Sequence, residues 1–478
     1  MARFPFSPAA AVFLLLGAFL ANTATVLAAD AKPTRRPPNL VVVLLDNLGK
    51  DWFGCYGSDE GQTPNIDKLA AAGVRFPHCY VTPLCSTTRA ALLTGRHGYR
   101  TGWRIHSDTA IYGGGYFDWE REITFARALK PAGYATAIGG KWQINDLYEQ
   151  KDALRRHGFD EHLVWTGALA GEGNAERRHE RSQKTNTREF ESRYWDPVVF
   201  HNGERKELKG RFGPDAYLEF LVDFMERNRE RPFLAYLATP LVHVPVVTVP
   251  GGPAKAAPDR EQFAAMVRHA DQQVGQLVAA LERLRLRDDT VVIVTTDNGT
   301  PKNLGGRVAG KKVVGGLGGL TEAGLDVPLI VNCPARVPGG RVSGRMVDCT
   351  DFFPTLLELA GAPAPKDAAI DGQSFADEIL GTPSKRPARG WIFSQYADER
   401  VVRDPRFKLY AATGALFDVA ADPGERTNLA ASTEADVAAA RRRLRAVLDS
   451  LPADVKMPFE PRSSSAFSLQ KKKAADKR

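Results

Sequence analysis

The run Asn39 to Asp46, NLVVVLLD, is a continuous block of β-branched and aliphatic residues with no polar alternation. Such a block suits a strand buried on both faces of a parallel sheet. The pattern recurs in ATAIGGKW, PFLAYLAT, TVVIVTTDNG and VPLIVNCP. Between these blocks the apolar positions change to helical spacing. Helices are predicted in TPNIDKLAAAGVRF with a stop at Gly73, and over Thr124 to Leu129, Ala216 to Asn228 and Glu261 to Leu286. Strands alternating with helices predict an α/β sheet with crossover connections. Near residue 370 the rhythm shifts to short alternating strands broken by Asp-Pro and Pro-Gly turns, followed by a helical stretch from Thr433 to Leu451. This predicts a smaller C-terminal α+β subdomain with an antiparallel sheet and a packing helix.

The chain's 478 residues suit one large domain, or one large and one small. With 43% hydrophobic and 25% charged residues it reads as an ordinary globular protein. Arg3, the short apolar run Ala9 to Leu20, and Ala28 and Ala29 read as a signal peptide over residues 1–29. A spanning helix would need roughly 20 apolar residues. The expectation is an exported protein, periplasmic or secreted, with no stable membrane insertion. Lys32 to Pro38 reads as a Pro-rich leader to the first strand. The net charge of +8 owes much to Lys471, Lys472, Lys473, Lys477 and Arg478, which predict a basic, disordered tail over residues 461–478. No nucleic-acid-binding motif accompanies that charge, so nucleic acid is not an expected partner. Five cysteines, at 55, 79, 85, 333 and 349, leave at least one unpaired or modified. Pairing of Cys55 with Cys79, or of Cys333 with Cys349, stays open, and no spacing points to structural zinc.

Polar residues cluster just beyond the strand blocks. Asp46 and Asn47 end the first, and Asp297 and Asn298 end TVVIVTTDNG. Ligands of open α/β sheets bind at the carboxyl ends of strands, so these four mark a site by position alone. CSTTRAALLTGR places Cys85 and Arg89 four residues apart at the start of a helix, where they would share an anion-favouring pocket. A buried structural cysteine is the competing reading of that segment.

Cys85 to Arg96 also resembles the signature of the sulfatase family, Cys-x-Pro/Ala-x-Arg followed by AALLTGR. The resemblance extends through PNIDKLAAAGVRF, GKWQIND, LVHVPVV, SRYWDPVVFHNGE, GGLGGLTEAGLDVPLIV and DGQSFADEILG, from about Asn39 to Leu429. It implies an alkaline phosphatase-like fold, a large central mixed, mostly parallel sheet flanked by helices. The catalytic domain would cover residues 39–370 and the C-terminal subdomain residues 371–460. It implies that Cys85 is oxidised by a formylglycine-generating enzyme. The aldehyde hydrate would attack the sulfur of a sulfate ester, and elimination from the covalent sulfate would restore the aldehyde. Arg89 would hold and polarise the nucleophile. Lys141, His243 and Gln143 would contact substrate. Calcium would be held by Asp46, Asn47, Asp297 and Asn298 with the modified Cys85, since a hard cation takes oxygen ligands and neutralises sulfate charge.

Four positions depart from the family pattern. Thr87 stands where Pro or Ala is usual, Asn47 where a second Asp is usual, Gln143 for His and Leu317 for Lys. Asp326 also occupies a usually basic position, and Lys302, Lys311 and Lys312 are the nearby lysines able to supply the missing ammonium. The leading expectation is a sulfuric ester hydrolase acting on a sulfated small molecule or polysaccharide. The alternative, motivated by these departures, is an impaired sulfatase-like protein that binds sulfated glycans. Phosphodiester or phosphonate hydrolysis on the same fold is a third reading. The polar stretch Ala168 to Glu189 is expected to be a solvated insertion or a lid.

Overall fold

The first apolar block becomes strand β1 (Asn39–Leu45), with all seven residues buried. The other central strands, β3 (Ala135–Lys141), β7 (Phe233–Ala238) and β8 (Thr290–Thr296), are likewise buried throughout. β1 pairs in parallel with β7 and β8, and β3 pairs in parallel with β7 and with β4 (Glu161–Trp165). Antiparallel strands flank this parallel centre. β11 (Asp326–Asn332) runs against β8 and β2 (Val74–Tyr80), while β5 (Val198–His201) and β6 (Glu204–Glu207) extend the other side. The short strands β12 (Arg341–Val342) and β13 (Met346–Asp348) both lie parallel to β2. The result is a mixed, mostly parallel sheet of 11 strands, in the order β12-β2-β11-β8-β1-β7-β3-β4-β5-β6 with β13 also on β2.

These coordinates come from a computed structural model that describes Met1 and residues 36–107, 116–167, 193–366, 368–384 and 386–458. The expected signal segment after Met1, the stretch Ala168 to Glu189 and the tail 461–478 lie outside the described residues. From Pro38 onward the chain is one compact unit.

Alternation along β1 divides the core. Val41, Val43 and Leu45 face a layer built from helices Gly213–Arg227 and Asp259–Arg283. Leu40, Val42 and Leu44 face a layer containing helices Cys85–Thr94 and Phe352–Ala360. Each such Val or Leu contributes roughly 1.5–3 kcal/mol relative to exposure. Strand β2 was not foreseen: its residues continue a helix-spaced run, but that helix stops at Ala71. Pro77 interrupts β2, and the pairing with β11 shifts register between Val327 and Leu329.

The C-terminal subdomain contains four antiparallel strands, β14 (Ile392–Tyr396), β15 (Glu399–Arg403), β16 (Phe407–Tyr410) and β17 (Leu416–Asp418). Helix Ala435–Ser450 packs on them through Val437, Ala440, Leu444 and Leu448. This subdomain holds the approach to β11 through buried charge. Lys408 is 0% exposed and donates to Glu425 (2.9 Å), Glu322 (3.2 Å) and the Leu320 carbonyl. Tyr410 donates to the same carbonyl at 3.1 Å. Removing one partner from a buried ion cluster strands the others without compensation. Lys408→Met is therefore expected to lower unfolding free energy by about 3–5 kcal/mol in urea titration. A loss under about 1 kcal/mol would show that the cluster is structurally idle.

Candidate active site

The helix Cys85–Thr94 is buried at all ten positions and ends at Gly95, which adopts φ 69°. Cys85 is its first residue, so the free backbone N–H groups of the first turn favour negative charge beside it. Arg89 lies one turn on and therefore on the same face. Thr87 faces elsewhere: its hydroxyl donates to the Leu84 carbonyl at 2.8 Å and meets the Thr82 hydroxyl. The departure at position 87 thus builds the helix start, in contact with the preceding turn.

Strand ends bring the remaining residues to this helix. Cys85 Sγ donates to Asp46 Oδ1 (3.4 Å) and Asn47 Oδ1 (3.6 Å), and Asn298 Nδ2 donates to Cys85 Sγ (3.4 Å). Arg89 Nη2 donates to both Asp46 Oδ2 (3.1 Å) and Asp297 Oδ2 (2.8 Å), and its Nη1 to the Lys141 carbonyl (2.9 Å). Lys141 Nζ donates to Asp46 Oδ2 at 2.7 Å. Asn47 N–H donates to Asp297 Oδ1 at 3.1 Å, locking the ends of β1 and β8 together. Lys141 owes its place to Gly140, whose φ is 118° and where a Cβ would lie 2.0 Å from the Ala238 carbonyl oxygen.

His243 joins from the segment after β7. Asp46 exchanges backbone hydrogen bonds with that segment, accepting from Val242 and donating to Leu241, both at 2.7 Å. Ligand atoms of Asp46, Cys85 and His243 all lie within 4.8 Å of one another. Eight of the nine positions named from sequence thus share one cluster. The ninth, Gln143, is buried two residues beyond Lys141, with left-handed backbone at φ 76°.

The charges in this cluster set one another's ionisation. Burial would raise the Asp46 carboxyl, but the Lys141 and Arg89 cations outweigh it and hold it well below the usual range. Burial and the Asp46 charge push Asp297 up to about 6, against Arg89 and Lys141. Burial disfavours the Lys141 ammonium, yet Asp46 above all keeps its pKa above the ordinary lysine value. Burial, Asp297 and Asp46 raise the Cys85 thiol well above its usual range. An unmodified Cys85 is therefore a thiol and a poor nucleophile. Burial lowers His243 well below 6.5, with Lys141 and Arg193 adding to the effect against Asp46, so the imidazole is neutral.

The residues fit a hard divalent cation. Asp46, Asn47, Asp297 and Asn298 are each 0% exposed and offer only oxygen or amide donors. Asn298 Oδ1 is a buried acceptor with no hydrogen-bond partner, which a cation would satisfy. They also fit conversion of Cys85, since all five cysteines are free and this one is held among carboxylate and amide groups. Neither disulfide left open by the sequence forms.

Leu317 lies on the loop before β11. Its N–H donates to the Thr300 carbonyl (3.0 Å), and the Gly318 N–H to the Pro83 carbonyl (3.1 Å), so the loop borders the Cys85 helix start. Lys302, Lys311 and Lys312 are exposed, so none of them takes a buried ammonium's place there. Asp326 pairs with Lys50 at 2.6 Å and also meets His78 at 3.0 Å. Arg193 was missed by sequence reasoning. It is 4% exposed, stacks 4.8 Å from the Trp165 ring centre and meets His243 Nδ1 at 2.8 Å. Nδ1 lies between this guanidinium, which only donates, and the Val244 carbonyl, which only accepts. Its signal was the single arginine in SRYWDPVVFHNGE, a segment read only as a connector.

Comparison with known proteins places this geometry. The family model described as Sulfatase matches residues 38–362, and one described as N-sulphoglucosamine sulphohydrolase, C-terminal, matches residues 320–453. N-acetylgalactosamine-6-sulfatase of Canis lupus familiaris is 32% identical over 72% of this chain, and the match spans 66% of that protein, just under two thirds. Arylsulfatase A of Homo sapiens is 31% identical over 81% of this chain and 78% of its own length. The crystal structure of Ps i-CgsB superposes with a TM-score of 0.72 at 25% identity, covering 86% of this chain and 93% of that one. This chain belongs to the sulfatase family of sulfuric ester hydrolases.

Proposed function

We propose that this protein is an exported, calcium-dependent sulfatase that removes sulfate from sulfated saccharides after Cys85 is converted to formylglycine. The observation that carries the reading is the meeting of Cys85 with Asp46, Asn47, Asn298 and His243 at the carboxyl ends of strands. A formylglycine hydrate at position 85 would supply the oxygen nucleophile that a buried thiol lacks. Asp46, Asn47, Asp297 and Asn298 would hold the calcium, which supplies positive charge to the sulfate oxygens.

The chain's own residues orient and balance these groups. Arg89 is spent on two carboxylates and fixes their spacing, leaving Lys141 as the ammonium closest to the reacting position. Lys141 opposes the charge of an incoming sulfate, and its tether to Asp46 preorganises it without further reorganisation. His243 stands beside the reacting position and is suited to contact the sulfate or the ester oxygen that leaves. The saccharide class is supported by the galactosamine sulfatase among its relatives. Export to the periplasm or medium is supported by the apolar run Ala9 to Leu20 behind Arg3. A formylglycine-generating enzyme is the partner this maturation requires. Among the described residues no helix is long and apolar enough to cross a membrane.

Gln143 and Leu317 favour the second reading, a binder of sulfated glycans without turnover, because neither can supply a proton or a positive charge. Cys85→Ala decides between them. On an aryl sulfate it is expected to lower kcat/KM by at least about 10⁴-fold. Equal turnover in the variant would remove Cys85 from the chemistry, and no turnover in either protein would favour the binder. Rates on matched phosphate esters test the third reading. Calcium is expected to raise the melting temperature of the wild-type protein and not that of Asp46→Ala. Asn47→Asp restores a negative charge and is expected to tighten calcium roughly tenfold by calorimetry. An unchanged or weaker affinity would place the cation elsewhere.

A further inference from the structure

A cleft of about 630 Å³ opens beside His243 and has no part in the chemistry described above. Val244 and Pro245, which follow His243 directly, form one wall. Trp195 forms another and lies two residues from Arg193, which contacts the His243 ring. Asn303 and Leu304, beyond the end of β8, close the far side. Its walls are thus chain neighbours of His243 and Arg193 and lie beyond the carboxyl ends of β7 and β8. Its volume is in the range of sites for small organic ligands.

Trp195 is 37% exposed. A lone exposed aromatic needs no explanation by itself. This one is clamped: its indole N–H donates to the Thr248 carbonyl at 2.7 Å, and its ring packs 5.1 Å from that of Phe212. The remaining surface is a rigid apolar plate that loses little side-chain freedom on binding. The cleft also holds unmet polar capacity. Gln262 Oε1 and Thr248 Oγ1, both from residues of its wall, are buried without a hydrogen-bond partner. Gln262 as a whole is only 4% exposed. Buried side-chain oxygens without partners are rare, and hydroxyl groups are the chemistry that would satisfy them. Lys255 and Asp259, one of each sign, also line the cleft.

An apolar plate, two unpartnered side-chain oxygens and side chains of both signs suit an uncharged ring bearing hydroxyl groups. We propose that this cleft binds the pyranose unit adjoining the sulfated one, with its C–H face on Trp195, so that the preferred substrate is an oligosaccharide. The inference rests on the saccharide sulfatase reading and extends it to the neighbouring sugar.

The test uses 6-sulfated galactosamine, glucosamine and galactose, each as a monosaccharide and as the terminal unit of a tetrasaccharide. The wild-type enzyme is expected to favour at least one tetrasaccharide over its monosaccharide by at least tenfold in kcat/KM, mainly through KM. Trp195→Ala is expected to reduce that ratio about tenfold, and Trp195→Phe, which keeps an aromatic face, to preserve most of it. Thermal melting of both variants separates a binding loss from a folding loss. An absent length preference, or one unchanged in Trp195→Ala, would overturn the proposal. If no ester is hydrolysed, the saccharide sulfatase reading has failed separately. Calorimetry of Cys85→Ala with the same tetrasaccharides then decides: binding weakened by Trp195→Ala supports the cleft, and equal or absent binding overturns it.

Discussion

Two carboxylates and two cations share one fully buried volume at the end of the central strands. Asp46 and Asp297 belong to different strands, and Arg89 joins them while Lys141 holds Asp46. None of the four could be buried alone, because an isolated buried charge is costly and tends to neutralise. Together they join β1, β8, β3 and the Cys85 helix with their charges satisfied. Removing one would leave the others to shift their ionisation, which makes the cluster both a structural joint and a charge template.

The rest of the fold supplies rigid ends for that joint. Parallel strands buried on both faces have little freedom to slide, so the residues just after them are held as firmly as the core. Backbone exchange between Asp46 and the Leu241–Val242 segment extends this rigidity to His243. The C-terminal subdomain fixes the approach to β11 from outside through Lys408, Tyr410 and Glu425. The loop carrying Leu317 is therefore anchored at both ends, at Thr300 and Pro83 on one side and at Leu320 on the other.

The sequence disclosed the parallel centre, β1, β3, β7 and β8, and its antiparallel neighbour β11, because each is a largely apolar block. The antiparallel edges were harder to see. β2 contains a proline and follows a helix-spaced run without a break, and β5 and β6 are only four residues each. Asp46, Asn47, Asp297 and Asn298 were legible from position, as polar pairs at the ends of apolar runs. Cys85 and Arg89 were legible from their one-turn spacing, while Lys141, Gln143 and His243 were marked by family resemblance. Arg193 and Trp195 were not legible, because their roles depend on how the segment before β5 packs against the turn after β7. The pair Lys50–Asp326 was likewise hidden, since its partners are 276 positions apart in the chain.

The central claim is that residue 85 works only after its thiol has been replaced. Mass spectrometry of the peptide containing position 85 tests it directly, on protein produced together with a formylglycine-generating enzyme. The expected result is a peptide carrying an aldehyde in place of the CH₂SH group, trapped by a hydrazide and resistant to thiol alkylation. A peptide with an intact thiol, fully alkylated once unfolded, would contradict the claim.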